Sequence, residues 1–350
     1  MSGTSLDGVD LALCTFAGND RRVEYSFLQT ETVPLPPYWQ DLLGDPFSLT
    51  GTALAKAHVD FGKFLGETAF HFLKRQQTKP YLIASHGHTL FHRPGEGYTF
   101  QLGHGAAIAH TAGADTVCDF RTGDVVLGGQ GAPLVPMGDE LLFGGFDGCL
   151  NLGGFSNISC RTDGSGRIGF DISPVNFVLN RLARQQGMPY DEGGKSAASG
   201  RLLPELLERL DTLPFYHAGP PKSLGAEWVD GHIFPLLDTT RYTVPDLLRT
   251  FTEHTARQMA ETFGRLGIRQ VLATGGGTKN TFLVQRLRRL FAGELTVPDP
   301  KTVDFKEALI FALLGYLRVQ KKTNILSSVT GARMDSCAGA VYRAFPQPGY

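Results

Sequence analysis

Hydrophobic spacing along the chain switches repeatedly between the two periods that separate strands from helices. Val9, Leu11, Leu13 and Phe16, with Ala12 and Cys14 between them, form an apolar run that predicts a buried strand over 9–16. A second strand is expected over 23–29, a helix over 54–74, strands over 81–84 and 98–102, a helix over 106–112 and a strand over 116–119. This is an α/β alternation. The stretch 121–136, with Gly128-Gly129-Gln130-Gly131-Ala132-Pro133 at its centre, reads as a crossing between domains.

The alternation then starts again. Strands are expected over 149–152, 156–160 and 168–171, and a helix over 175–186. Leu247, Leu248, Phe251, Thr255, Met259, Phe263 and Leu266 step by three and four, predicting a long amphipathic helix from Val244. A strand over 270–273 runs into Gly275-Gly276-Gly277, followed by helices over 280–291 and 306–319 and a short strand-like end at 338–345.

At 350 residues the chain exceeds what one core usually holds, which implies two domains with a ligand site in the cleft between them. The boundaries expected are 1–124 with a returning tail at 325–350, and 125–324. Charged residues make up 19% and the formal net charge is −1, so neither a nucleic-acid nor a membrane partner is favoured. Cys14, Cys118, Cys149, Cys160 and Cys337 are an odd set without a C-x-x-C pair, expected as reduced thiols of a cytoplasmic protein. No apolar stretch approaches the roughly 20 residues of a membrane span, and the start lacks the order of a signal peptide.

Glycine, at 43 residues, clusters beside strands, where backbone meets ligand or simply turns tightly. The clusters are 2–8, 128–131, 152–154 and 275–277. In the first, Gly3 and Gly8 free the backbone, Thr4 and Ser5 offer donors, and Asp7 suits Mg²⁺ held through water. Such turns bind anions through backbone N–H groups without lysine. Gly194-Lys195-Ser196 has the ending of a P-loop, but Pro189 stands where its first glycine belongs and no strand leads in, so that reading fails. Asp171 ends a strand ahead of a helix start, which suits either a general base at a sheet edge or a helix N-cap. His86, His88 and His92 fall within one short segment, a spacing compatible with a metal-dependent hydrolase; loop histidines are more often only hydrogen-bonded, and no carboxylate is nearer than Glu96. Arg121 suits a carboxylate or phosphate of the ligand, although Arg121, Asp124 and Lys222 also fit a solvated surface.

Together the motifs resemble the anhydro-N-acetylmuramic acid kinase family, within the two-domain sugar kinases that share a fold with actin and acetate kinase. The resemblance covers nearly the whole chain. It rests on the opening Met1-Ser2-Gly3-Thr4-Ser5-Leu6-Asp7-Gly8-Val9-Asp10, Ser85-His86-Gly87, Asp119-Phe120-Arg121, the glycine-rich stretch 128–136, Asn151-Leu152-Gly153-Gly154-Phe155-Ser156-Asn157-Ile158, Gly169-Phe170-Asp171, Ala197-Ala198-Ser199-Gly200, Pro221-Lys222-Ser223, Gly275-Gly276-Gly277 with Asn280, and Val329-Thr330-Gly331-Ala332. It implies an α/β, ribonuclease H-like fold and an ATP- and Mg²⁺-dependent kinase of peptidoglycan recycling and amino-sugar catabolism. Such an enzyme opens the 1,6-anhydro bridge with water and phosphorylates the 6-oxygen, giving N-acetylmuramic acid 6-phosphate. Asp171 would be the base. Gly3, Thr4, Ser5, Leu6, Asp7, Gly8, Gly153, Gly154, Gly275, Gly276 and Gly277 would hold ATP, and Arg121, Glu307 and His86 the sugar.

Several positions depart from the family pattern. Ser173-Pro174-Val175-Asn176 replaces Gly-Pro-Gly-Asn, Asn180 stands for an aspartate, His88 for a glutamine, Thr122 for an arginine, and Leu224 and Ala226 for a threonine and an arginine. These changes leave open another anhydro sugar such as levoglucosan, or a non-catalytic sensor, and a homodimer also stays open. A phosphate hairpin needs a strand entering as well as leaving. The family has one ahead of the turn, so the expectation is a start site upstream of Met1.

Overall fold

The computed structural model describes residues 1–3, 6, 8–19, 22–162 and 166–345. Thr4, Ser5 and Asp7 therefore lie outside the described residues. Two compact units are present: Met1–Leu142 with Phe305–Tyr350, and Phe143–Asp304.

In the first unit, β1 (Gly8–Asn19) and β2 (Arg22–Pro34) form an antiparallel hairpin. After the helix Gly51–Arg75, β3 (Ile83–Ala84), the hairpin of β4 (His88–Arg93) with β5 (Tyr98–Leu102), and β6 (Thr116–Cys118) follow. β3 pairs parallel to β6, and the strand Ala340–Tyr342 pairs antiparallel to the other edge of β6. Side chains in a strand alternate between faces, and β3 shows this directly. Ile83 joins a cluster with Phe61, Leu65 and Ile108, whereas Leu82 and Ala84 join one with Ile310, Phe311 and Leu314 of the helix Pro300–Val319. The two helices thus cover opposite faces of β3.

A fully buried carboxylate shapes the glycine-rich stretch. Asp124 accepts from Gly131 N–H at 2.7 Å and from Thr330 Oγ at 2.7 Å, while Gln130 N–H donates to the Thr330 carbonyl at 2.8 Å. Asp124 is a brace and not the solvated surface group that its position in the sequence allows. Asp124→Ala would leave the Gly131 N–H unpaired in the interior and Thr330 Oγ with only the long bond to the Leu326 carbonyl at 3.4 Å, so urea unfolding should show a loss of about 1–3 kcal/mol.

The second unit is built on one sheet of order β11-β10-β7-β8-β9: β7 (Gly148–Leu152), β8 (Phe155–Thr162) and β9 (Gly166–Pro174) are antiparallel neighbours, and β10 (Gln270–Thr274) lies parallel to both β7 and β11 (Glu294–Thr296). The helix Val244–Arg265, N-capped by Thr243, buries Leu247, Leu248, Phe251, Met259 and Phe263 completely. Each such side chain is worth roughly 1.5–3 kcal/mol, which is why the three-and-four spacing found the helix.

No described helix is long and apolar enough to cross a membrane. No disulfide bond joins the cysteines among the described residues, and burial pushes the thiols of Cys14 and Cys118 up to about 12 and that of Cys160 to about 11.

Candidate functional site

The parallel register of β7 and β10 sets Asn151 beside Thr274, so both strands deliver their glycine turns to the same sheet edge. The turns touch. A Cβ on Gly275, whose φ is +87°, would lie 2.5 Å from Asn151 Oδ1 and 2.8 Å from the Leu152 carbonyl, and one on Gly277 would lie 2.8 Å from Leu152 Cβ. Gly153 and Gly154 are in turn held by the start of the helix Asn176–Arg184, with Val175 N–H donating to the Gly154 carbonyl at 2.8 Å. Two sequence-remote glycine clusters thereby form one tight floor of backbone. Gly276 is exposed on it, and the helix Thr281–Leu290 begins just beyond, capped by Asn280 Oδ1 accepting from Leu283 N–H at 3.0 Å. A nucleotide phosphate suits such a surface. Gly275→Ala combines a positive φ with a clash against fixed backbone and should weaken ATP binding by about 1–3 kcal/mol, read by calorimetry.

The failed P-loop is explained by its amides. Asp191 accepts from Ser196 N–H at 2.8 Å and Ala197 N–H at 2.9 Å, and Lys195 pairs with Glu192. Those donors are already used.

Asp171 stands near the end of β9. Its N–H donates to the Lys222 carbonyl at 3.0 Å, and its Oδ2 accepts from Leu224 N–H at 2.8 Å. The helix that follows begins at Asn176 with Val175 as its N-cap and no side-chain bond, so Asp171 caps no helix. Its Oδ1 has no protein partner among the described residues. Burial pushes the carboxyl above its ordinary value of 3.8, partly opposed by the Leu224 N–H. The loop that holds it is anchored by Lys222, whose ammonium donates to the Phe215 carbonyl at 3.0 Å and sits 4.4 Å from the Phe215 ring centroid; burial lowers its pKa to about 8.

In the first unit Arg121, His86 and Glu307 are neighbours. Arg121 donates through Nε to His86 Nε2 at 3.1 Å and through Nη1 to the Gly131 carbonyl at 2.6 Å. Burial and the Arg121 charge push the His86 ring well below its ordinary range, so it is neutral and accepts. That ring lies 4.7 Å from Phe311, one helical turn beyond Glu307. Dense surroundings push the exposed Glu307 carboxyl up, and the Arg121 charge pulls it down. The hydrolase reading of the histidines finds no support here: His88 Nδ1 meets Ser2 Oγ at 3.0 Å, His92 Nδ1 meets Thr99 Oγ1 at 3.0 Å, and no metal-ligand group exists among the described residues.

The first glycine turn, 2–8, is described only at Ser2, Gly3, Leu6 and Gly8. Leu6 N–H donates to the Gly3 carbonyl at 3.2 Å and Leu6 has a φ of +57°. A Cβ on Gly8 would lie 2.8 Å from the Val33 carbonyl, so glycine is required there. Sequence reasoning missed the Leu224 amide and the Lys222 carbonyl as partners of Asp171, and the buried Lys306–Asp139 ion pair at 2.7 Å beside Glu307. The backbone groups carry no sequence signal; Lys306 had one, a lysine at the head of the apolar stretch 308–317.

The family model described as anhydro-N-acetylmuramic acid kinase matches residues 1–344. An anhydro-N-acetylmuramic acid kinase of Pseudomonas putida is 37% identical over 369 aligned residues, covering 98% of both chains. One from Pseudomonas fluorescens is 34% identical with 98% of both chains covered, and one from Sulfurovum sp. is 35% identical, covering 98% of this chain and 97% of that one.

Proposed function

Because this chain belongs to the anhydro-N-acetylmuramic acid kinase family, we propose that Asp171 is the catalytic base of an ATP-dependent sugar kinase acting on anhydro-N-acetylmuramic acid. The observation that carries the assignment is the Asp171 carboxylate itself. One oxygen is fixed by the Leu224 N–H, the other is unengaged by the described protein, and burial raises its basicity.

Asp171 takes a proton from water, and the water oxygen bonds to the anomeric carbon. The bond from that carbon to O6 breaks, its electron pair stays on O6, and O6 accepts the γ-phosphoryl group as ADP leaves. The products are N-acetylmuramic acid 6-phosphate, ADP and the proton on Asp171. Arg121, His86 and Glu307 orient the sugar, and the glycine floor of 153–154 and 275–277 takes the nucleotide. The turn of Gly3, Leu6 and Gly8, together with Thr4 and Ser5 outside the described residues, takes the phosphates. Mg²⁺, held by Asp7 through water, would neutralise the transferring phosphoryl group.

The test is incubation with ATP, Mg²⁺ and anhydro-N-acetylmuramic acid, followed by mass analysis. A product heavier than the sugar by one water and one phosphoryl group is expected, with ADP released in equal amount. Turnover of levoglucosan alone would move the substrate assignment to that sugar, and ADP release without a sugar product would remove it altogether.

A further inference from the structure

Asp171 is gripped by a loop that has no regular structure of its own. Residues 218–225 form neither helix nor strand, and the loop meets β9 at Asp171, whose N–H donates to the Lys222 carbonyl at 3.0 Å and whose Oδ2 accepts from Leu224 N–H at 2.8 Å. Whatever fixes the loop therefore fixes the carboxylate. Lys222 does so with its side chain. Its neighbours Pro221 and Ser223 are exposed, and a lysine at a surface ordinarily sends its ammonium to water. Here the ammonium turns back onto the short helix Pro214–His217, where it donates to the Phe215 carbonyl at 3.0 Å and sits 4.4 Å from the Phe215 ring centroid. Both contacts favour the charged form, because a cation bonds a carbonyl more strongly than a neutral amine does and is drawn to the ring face.

The helix it reaches is itself held by the core of the second unit. Tyr216 is 2% exposed, its ring lies 4.6 Å from that of His254, and Arg265 Nη1 donates to its carbonyl at 3.2 Å. His254 and Arg265 both belong to the long helix Val244–Arg265. Support thus runs from that helix through Phe215 and Lys222 to the Asp171 carboxylate.

We infer that Lys222 is the positioning residue of Asp171: its ammonium, seated on the carbonyl and ring of Phe215, fixes the loop whose backbone grips the carboxylate, and removing that charge loosens the grip. The inference rests on the reading of Asp171 as the catalytic base.

The charge can be removed by pH alone. Burial, and after it the Arg265 charge, lowers the ammonium to about 8. The other groups around it are settled in that range: burial pushes the Tyr216 hydroxyl up and the His254 ring down, Asp211 is held ionised by His254 and Arg257, and His217, Glu227 and His232 are exposed. Above about pH 8 the neutral amine still donates to the carbonyl but loses its attraction to the ring.

NMR of the unsubstituted chain without substrate tests this. Protection of the Leu224 amide against hydrogen exchange, relative to its intrinsic rate at each pH, should fall about tenfold between about pH 7 and about pH 9.5, while that of the Ile158 amide in the middle of the sheet stays constant. Lys222→Met keeps the stem without the charge and should show the lower protection at every pH; Lys222→Arg stays charged throughout and should keep the higher one. In turnover, Lys222→Met should lose about 10²-fold in kcat with the KM for ATP unchanged, and should lack the alkaline fall in kcat that the unsubstituted enzyme shows. Leu224 protection that stays level through about pH 9.5, full protection in Lys222→Met, or equal loss in the Met and Arg variants overturns the inference. If protection responds as expected but kcat does not, the grip of Lys222 on Asp171 stands and the reading of Asp171 as the base falls.

Discussion

Asp171→Asn should lower kcat by about 10²–10⁴-fold, the usual worth of a positioned general base, while ATP affinity stays unchanged. The substitution is nearly isosteric, and an amide oxygen still accepts from Leu224 N–H, so the loop 220–224 has no reason to move. What disappears is the ability to take a proton. The pH profile makes the loss specific. Burial raises the Asp171 carboxyl in the folded chain, so activity in the unsubstituted enzyme falls as pH drops through a value above the ordinary 3.8. The residual rate of the variant should lack that acid limb. Leu224→Pro removes the one N–H that opposes the effect of burial and should shift the limb to higher pH, whereas Leu224→Ala keeps the N–H and should not. Full turnover by Asp171→Asn, with its acid limb intact, would take Asp171 out of the reaction.

Legibility in the sequence followed the physics that writes each feature. The helix Val244–Arg265 was readable because a buried stripe must recur every three or four residues, and Tyr98–Leu102 because Tyr98, Phe100 and Leu102 alternate with polar Thr99 and Gln101. Its partner His88–Arg93 was read as a histidine loop. Polar His92 and Arg93 hide a strand whose support is the cross-strand ladder to Tyr98–Leu102, and that ladder has no local signature. The glycine clusters were visible, since only glycine tolerates the φ of Gly275 and the space beside Asn151, whose Oδ1 would lie 2.5 Å from an added Cβ. Their meeting at one sheet edge depends on the parallel pairing of β7 with β10, across more than a hundred residues of sequence. Asp124 shows the same limit. An acidic residue after a strand looks solvated until the fold brings Thr330 to it.

Arg121→Met should lower kcat/KM for the sugar by about 10²-fold, chiefly through KM, with ATP affinity retained. Methionine keeps the length and the apolar stem but removes the fork that donates to His86 and to the Gly131 carbonyl. His86 would lose the donor to its Nε2, and the sugar would lose a charged partner. Glu307 reports the change independently. Its carboxyl is already pushed up by dense surroundings and pulled down by the Arg121 charge, so removing that charge moves it further up. The pH at which the remaining activity loses the Glu307 carboxylate should rise accordingly. If the two groups act on the sugar as a unit, adding Glu307→Gln to Arg121→Met will cost less than the sum of the single losses, by about 0.5–3 kcal/mol. Strict additivity, with no movement of the pH limb, would separate Arg121 from Glu307 and leave Arg121 only the task of holding His86 and the glycine-rich stretch in place.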